Sequence, residues 1–302
     1  LSVLVVGSIA LDSVETPVTS GEDLLGGSAM YFSMAAGFFT DVRLVGVVGT
    51  DFPDSAVDLL RERNVDVTGL QRAAGQTFRW SGRYHSDMNQ RDTLDTRLNV
   101  FENFSPEIPE AYRSSEVVFL ANIHPSLQME VLRQVEHPEL VVTDTMNLWI
   151  ESTPEELEAV IRQTDLFVLN DTEARQLTGE ANLMVAARQL RAMGPAYLVI
   201  KKGEHGALLM SDDGLFFAPG FPLEQVTDPT GAGDVFAGGL VGVLDQAEEL
   251  NDTLLRQAVV YGSTVASYNV ESLSLNRLKH LTKQEIENRY EQFKAFTRFT
   301  LN

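Results

Sequence analysis

The chain has 302 residues, 44% of them hydrophobic, which is enough for a large core and too much for a disordered polypeptide. It has no cysteine, so disulfides, thiolate zinc sites and cysteine nucleophiles are excluded, and a reducing cytosol is compatible. A formal net charge of −20 argues against nucleic acid or an anionic membrane as a partner.

Residues 1–7 lack a basic segment and enter a strand pattern directly, and no apolar run reaches membrane-spanning length. No signal peptide and no membrane segment are therefore expected, and the protein reads as cytoplasmic. Strands are predicted over 3–7, 42–48, 117–121, 140–144, 166–170 and 197–201. Helical patterns fall between them, over 29–39, 55–63, 127–135, 154–163 and 183–193. The strands are nearly continuous apolar runs, as in parallel sheets buried on both faces. This alternation predicts an α/β fold, a doubly wound, mostly parallel sheet with helices on both faces. Ligands of such sheets sit beyond the carboxyl ends of the strands. One stretch differs. Phe78, Trp80, Gly82 and Tyr84 share one face, and Thr77, Arg79, Ser81 and Arg83 the other, which is the period of a half-exposed strand. With a polar tip over 85–93 and a second alternating run over 94–101, it predicts a β-hairpin projecting from the body. Residues 14–18 are candidates to join it. No repeat, low-complexity tract or linker is visible, and 283–296 reads as a surface helix.

The most informative segment is Asp228-Pro229-Thr230-Gly231-Ala232-Gly233-Asp234, which opens a helical run over 235–244. Small residues at a helix start let backbone amides approach an anion, and the helix dipole adds partial positive charge there. The same dipole favours the ionised form of Asp234 in the first turn, which suits a general base. A plain capped helix, with Thr230 as N-cap, is the structural alternative. All five lysines lie at or after Lys201, so neither a Walker A loop nor the early strand lysine of a protein kinase is present.

The heptad resembles the second signature of the ribokinase (PfkB) family, D-T-x-G-A-G-D, with Pro229 in its second place. Gly7-Ser8-Ile9-Ala10-Leu11-Asp12 resembles the family's first strand and its substrate-binding aspartate. Gly26-Gly27-Ser28-Ala29 resembles the N-terminal Gly-Gly signature, and residues 45–51 the next strand and loop. Asn170-Asp171-Thr172-Glu173 matches the N-x-x-E motif. Lys202-Gly203-Glu204-His205-Gly206 resembles the K-x-G-x-x-G turn. The resemblance runs from Gly7 to Gly239. It departs at Tyr31, where the family carries asparagine, and at Trp149, where D-x-N-x-R ends in arginine. Both departures concern recognition of the acceptor.

The resemblance implies an ATP-dependent kinase acting on a hydroxyl of a small sugar or sugar derivative. It implies one ribokinase-like domain over 1–302, with a β lid of about residues 12–25 and 70–101. Asp234 is then the base, and the amides of Gly231, Ala232 and Gly233 hold the phosphoryl oxygens. Asn170 and Glu173 hold Mg²⁺ through water. Lys202, Gly203, Gly206 and Thr230 join those two at the nucleotide. Asp12, Gly26, Gly27 and Ser28 bind the acceptor, helped by Arg83, Asn89 and Arg91 of the lid. For these residues, turns and solvated lid charges are the structural alternatives. Lid pairing across a two-fold axis implies a homodimer. A monovalent cation near Asp228 stays open. Asn122 and His124 follow a strand's carboxyl end and are further candidates for acceptor contact. His85, His124, His137 and His205 have no metal-ligand spacing. Two other functions remain: a nucleoside kinase of the same fold, using the lid aromatics, and a non-catalytic ligand-binding relative. A dinucleotide oxidoreductase is unsupported, because Ser8 to Asp12 supply no second glycine after Gly7.

Overall fold

The computed structural model describes residues 2–247 and 249–298. Leu1, Glu248 and residues 299–302, which the single-domain reading includes, lie outside the described residues. The strands are β1 (Ser2–Val6), β2 (Ala10–Glu15), β3 (Ser20–Gly26), β4 (Asp41–Val48), β5 (Val65–Arg72), β6 (Phe78–Tyr84) and β7 (Arg91–Arg97). They continue with β8 (Val117–Leu120), β9 (Leu140–Asp144), β10 (Leu166–Asn170), β11 (Tyr197–Lys201), β12 (Ala207–Ser211) and β13 (Gly214–Ala218). The helices are α1 (Ser28–Ala36), α2 (Asp54–Glu62), α3 (Pro125–Gln134), α4 (Asn147–Ser152), α5 (Pro154–Ile161) and α6 (Asp171–Thr178). The rest are α7 (Leu183–Ala192), α8 (Ala232–Leu244), α9 (Asp252–Asn269), α10 (Asn276–His280) and α11 (Lys283–Thr297).

Nine strands form the large sheet, in the order β13-β12-β11-β10-β9-β8-β1-β4-β5. Its β5 to β11 portion is parallel, and β12 and β13 close one edge antiparallel. The strand alternation explains the layering. Val3 and Val5 of β1, with Val117 and Phe119 of β8, face a core shared with α1, α8 and α9. Leu4, Val6, Val118 and Leu120 face the opposite side, against Val131 of α3 and Tyr112. Farther along that side, Phe167, Leu169, Leu198 and Ile200 pack on α5, α6 and α7. Each such side chain, fully buried, contributes ~1.5–3 kcal/mol relative to exposure. Both faces are therefore apolar and covered, as the continuous strand runs require. Among the described residues, no helix is long and apolar enough to cross a membrane.

A second sheet has four strands in the order β3-β2-β6-β7. The chain reaches it directly from β1 through residues 7–9, so β2 continues the line of a central strand into the small sheet. Of residues 14–18, expected to join the hairpin, Val14 and Glu15 do so as the end of β2, which pairs with β6 in parallel over residues 10–15. The second hairpin strand runs Arg91–Arg97, not 94–101, and is exposed at every residue. It has no buried face, so hydrophobic alternation could not mark it. Residues 99–103 form a 3₁₀ turn instead. Residues 70–72, expected near the lid, belong to β5 at the edge of the large sheet.

Candidate active site

Three strands deliver charged or polar residues to one carboxyl edge: Asp144 at the end of β9, Asn170 at the end of β10 and Lys201 at the end of β11. Asn170 and Lys201 are register partners, so their side chains arise side by side. The Lys201 Nζ donates to Asp144 Oδ2 at 3.0 Å, with Asp144 only 5% exposed. Burial opposes the Lys201 charge, but the carboxylates of Asp144, Glu173 and Asp234 more than offset it and hold the ammonium above its ordinary range.

Helix α8 starts above this edge. Its N-cap is Gly231, in the left-handed region at φ 73°, and a Cβ there would overlap the Tyr31 ring. Glycine is required at this position on both counts. The segment that precedes it is tied down from within. The buried Asp228 accepts from the amide of Thr230 at 2.9 Å and from that of Ser274 at 2.8 Å. The Ala232 amide donates to the Pro229 carbonyl at 3.1 Å, so it is already engaged, unlike the open role expected for it. Asp234 follows in the first turn, half-buried. Burial and the Asp144 carboxylate push its carboxyl up to about 7, against the opposing effects of Lys201 and Arg91. The N-terminal dipole alone predicts an easily ionised carboxylate; desolvation overrides it here.

Asp12 lies in β2 and is 4% exposed. A Cβ on Gly26 would overlap its carboxylate, so the Gly-Gly turn is what lets the two segments close up. Burial, Asp228 and Asp234 push the Asp12 carboxyl up to about 8, although the Gly27 amide and Arg91 pull the other way. Ser28 was expected at the acceptor. It instead shares hydrogen bonds with Ser8 at 3.1–3.2 Å and locks the β1–β2 turn onto α1. Tyr31, in the place of the family asparagine, packs its ring on Gly231; burial, Asp12 and Asp228 raise its hydroxyl well above the ordinary range.

The small sheet leans over this edge. The Thr230 hydroxyl donates to the Tyr84 hydroxyl at 3.2 Å, joining the lid to the glycine loop. Arg91 is near enough to favour the ionised forms of Asp12, Glu173 and Asp234. Asn89 donates to Glu204 Oε2 at 2.8 Å and covers Gly203, which puts it over the β11–β12 turn. Arg83 requires a correction. Tyr84 faces the site, so its neighbour Arg83 faces away by strand alternation, and it pairs with Glu15 at 2.9 Å on the outer surface. At the edge between β8 and β9, Trp149 donates to Asn122 Oδ1 at 2.8 Å and meets His124 edge-on.

Asn170 and Glu173 form a reciprocal capping box on α6: Asn170 N–H donates to Glu173 Oε2 at 2.7 Å, and Glu173 N–H to Asn170 Oδ1 at 2.8 Å. The capping alternative is therefore realised. It leaves the second Glu173 oxygen uncommitted by that box. Burial, and the Asp144 carboxylate more weakly, raise the Glu173 carboxyl against the pull of Lys201. Among the described residues, no three His, Asp or Glu groups gather as a direct metal set. This donor chemistry fits a hydrated Mg²⁺ held through water. Glutamine at the third helical position keeps the cap, so Glu173→Gln is expected to fold normally, raise the Mg²⁺ needed for half-maximal rate and slow turnover. Superimposable Mg²⁺ titrations of variant and wild type would remove Glu173 from the metal site.

Lys201 was missed in the sequence, although a signal for it was present. Counting K-x-G-x-x-G back from Gly206 and Gly203 puts the motif lysine at Lys201, not Lys202. Lys202 instead opens the turn, its amide donating to the Gly206 carbonyl at 2.7 Å. Gly203 and Gly206 both take positive φ in that turn, at 55° and 85°.

Comparison with known proteins places the fold and the family. The cytidine kinase of Thermococcus kodakarensis is 28% identical over 258 residues, which are 83% of this chain and 91% of that protein. The nucleoside kinase of Methanothermobacter thermautotrophicus is 26% identical over 260 residues, 84% of this chain and 78% of that one. Among solved structures, aminoimidazole riboside kinase from Salmonella enterica superposes with a TM-score of 0.76 at 20% identity, covering 96% of this chain and 100% of that chain. The nucleoside kinase of Methanocaldococcus jannaschii, an archaeal member of the ribokinase family, gives 0.77 at 19% identity, covering 96% and 98%. The fold is thus ribokinase-like. The pfkB family carbohydrate kinase model matches residues 18–279. That match takes in β3, β6 and β7 of the small sheet, the capped α6 and the glycine loop, and the chain belongs to the pfkB family of carbohydrate kinases, phosphotransferases with a hydroxyl acceptor.

Proposed function

We propose that the protein transfers the γ-phosphoryl group of ATP to a hydroxyl of a small sugar or sugar derivative, with Asp234 as general base. One observation carries the reading. Asp234 stands in the first turn of α8, beside the Gly231 and Gly233 amides, with its carboxyl held at about 7. A base with that affinity is half-ionised near neutrality, where it can both take and release a proton. Asp12, on β2 of the small sheet, would accept the acceptor's hydroxyls and orient the one that attacks. Asp234 would remove its proton. Gly231 and Gly233 would donate to the phosphoryl oxygens, with Arg91 adding charge from the lid. Glu173 and Asn170 would hold Mg²⁺ through water, which neutralises phosphate charge when bound. Gly203 and Gly206 shape the turn on the nucleotide side, under Asn89.

A nucleoside acceptor is the second reading. The partly exposed Trp149 and His124, which meet edge-on beyond β8, offer aromatic surface on which a base could stack. Two relatives matched over most of the chain are a cytidine kinase and a nucleoside kinase. The deciding assay measures ADP release from ATP–Mg²⁺ with sugars, sugar phosphates and nucleosides, with and without K⁺ because of Asp228. Acceptor-dependent ADP release is expected. Binding without turnover for every acceptor would convert the protein into a non-catalytic relative.

We further propose a homodimer through the small sheet, whose surface exposes Val18, Leu94 and Leu98 at 53%, 49% and 43%. Sedimentation at micromolar concentration is expected to give a dimer, and Leu94→Glu a monomer. A monomeric wild type would dismiss the interface.

A further inference from the structure

We infer that Lys201 supplies a formal positive charge to the phosphoryl-binding pocket, contacting the migrating group from beneath Gly233. The inference rests on the kinase reading above and assigns a residue to it. The Lys201 Nζ lies 3.0 Å from where a Cβ on Gly233 would stand, so the ammonium is directly against the second residue of α8. That is an adverse place for a cation. The start of a helix carries about half a positive charge, and lysine is ordinarily stabilised at the opposite end. A cation held there gains when an anion arrives between it and the helix amides.

Three carboxylates hold it in place meanwhile. Asp144 bonds to it at 3.0 Å, and Glu173 and Asp234 act on it from nearby. Asp144 is itself fixed. Its Oδ1 accepts from the Thr145 amide at 2.8 Å, and its main-chain carbonyl accepts from the buried Gln128 side chain at 3.1 Å. Gln128 also donates to the carbonyls of Leu120 and Ala121, so it binds the ends of β8 and β9 together. The ammonium thus has a rigid backing at Asp144 and lies against the glycine loop at Gly233. A purely structural ion pair would have no reason to aim at Gly233. The arrangement performs the task that a loop lysine performs in Walker A proteins, with the lysine coming from a strand end instead.

The test uses the full chain, ATP–Mg²⁺ and an acceptor found by the ADP-release assay. Lys201→Met is expected to lower kcat about a hundred-fold to a thousand-fold, as loss of one charge-stabilising donor does, and to leave the acceptor KM within a few-fold. Lys201→Arg is expected to regain at least part of that loss. The two partners should also move the acid limb of the kcat–pH profile in opposite directions. Loss of Lys201 raises its midpoint, because Lys201 favours ionised Asp234, and Asp144→Asn lowers it, because Asp144 opposes ionisation. These opposed shifts report the charges of Lys201 and Asp144 acting on Asp234, and the kcat comparison decides whether Lys201 meets the phosphoryl group. If Lys201→Met does not fold, the neutralised pair Lys201→Met/Asp144→Asn is compared with Asp144→Asn alone. A pair at least about tenfold slower than Asp144→Asn supports the assignment. Equal rates, or a Lys201→Met variant within fivefold of wild type, overturn it. Wild-type ADP release separates the two levels: without it for any acceptor the kinase reading falls too, and with it only the role of Lys201 is at stake.

Discussion

Asp234→Asn is expected to reduce turnover by about a hundred-fold to ten-thousand-fold, the usual effect of removing a general base. Asparagine preserves size and most hydrogen bonding but cannot take the hydroxyl proton. ATP affinity should survive, since the amides of Gly231 and Gly233 do not depend on that charge. It should tighten slightly, because a carboxylate beside the γ-phosphate is repulsive. The wild-type rate should rise with pH through about 7, as Asp234 loses its proton. Stability moves the other way. The folded carboxyl is raised from 3.8 to about 7, so between those values the folded state holds a proton that the unfolded state has lost. Folding is then penalised increasingly as pH rises through that window, and fully above it. Asparagine has no such penalty. The variant should therefore melt at a higher temperature than wild type above pH 7 while being nearly inactive. Calorimetry for ATP affinity, turnover, and thermal melts at two pH values decide the matter. Turnover within a few-fold of wild type would remove Asp234 as the base. Loss of both turnover and ATP affinity in a folded variant would make Asp234 a support of the loop.

Gly231→Ala is the second large effect expected. The residue sits at φ 73°, and alanine in that region costs about 1–2 kcal/mol in backbone energy. Its methyl group would also meet the Tyr31 ring, which is 2% exposed and cannot swing into solvent. The chain must therefore turn the Gly231–Gly233 amides away from their present direction. A fall in kcat of about a hundred-fold to a thousand-fold is expected, the scale of losing one anion-hole donor. A second-site change at Tyr31 to a smaller residue should recover part of it, since only the ring contact is relieved. Unchanged kinetics in Gly231→Ala would mean that these amides do not meet the phosphoryl group.

Six strands of the large sheet were legible because they are near-continuous apolar runs, so that β9, β10 and β11 coincide with the predicted 140–144, 166–170 and 197–201, whereas β5, β12 and β13 were not predicted. The glycine loop was legible because its spacing is local. What escaped was decided by tertiary placement. Strand β7 is exposed throughout and carries no pattern. Arg83 and Tyr84 are neighbours in sequence, and only the sheet's orientation shows which one turns inward. Ser28 lies in the right motif, but its hydroxyl is taken by Ser8, 20 residues away in the chain. Lys201 closes an apolar strand, where a charge reads as a surface boundary. Its partner Asp144 is 57 residues distant, and no local window contains both. The raised carboxyls of Asp12 and Asp234 belong to the same class, since burial among acids brought from several elements sets them.

The bond from Asn89 to Glu204, together with that from Tyr84 to Thr230, has a kinetic meaning. One joins the hairpin tip to the turn after β11, and the other joins the hairpin strand to the glycine loop. Both attachments run from the small sheet to segments that the proposed function places at the nucleotide and the phosphoryl group. Under the proposed function, each catalytic cycle would include an interval in which the hairpin lifts. Its opening breaks one exposed polar bond, Asn89–Glu204, which water can replace, and one buried bond, Thr230–Tyr84, which costs more to expose. Such gates move on microsecond to millisecond timescales, and exit through them commonly limits turnover. Steady-state rates with a fast acceptor would then fall with added viscogen, while the first turnover after mixing would keep its speed.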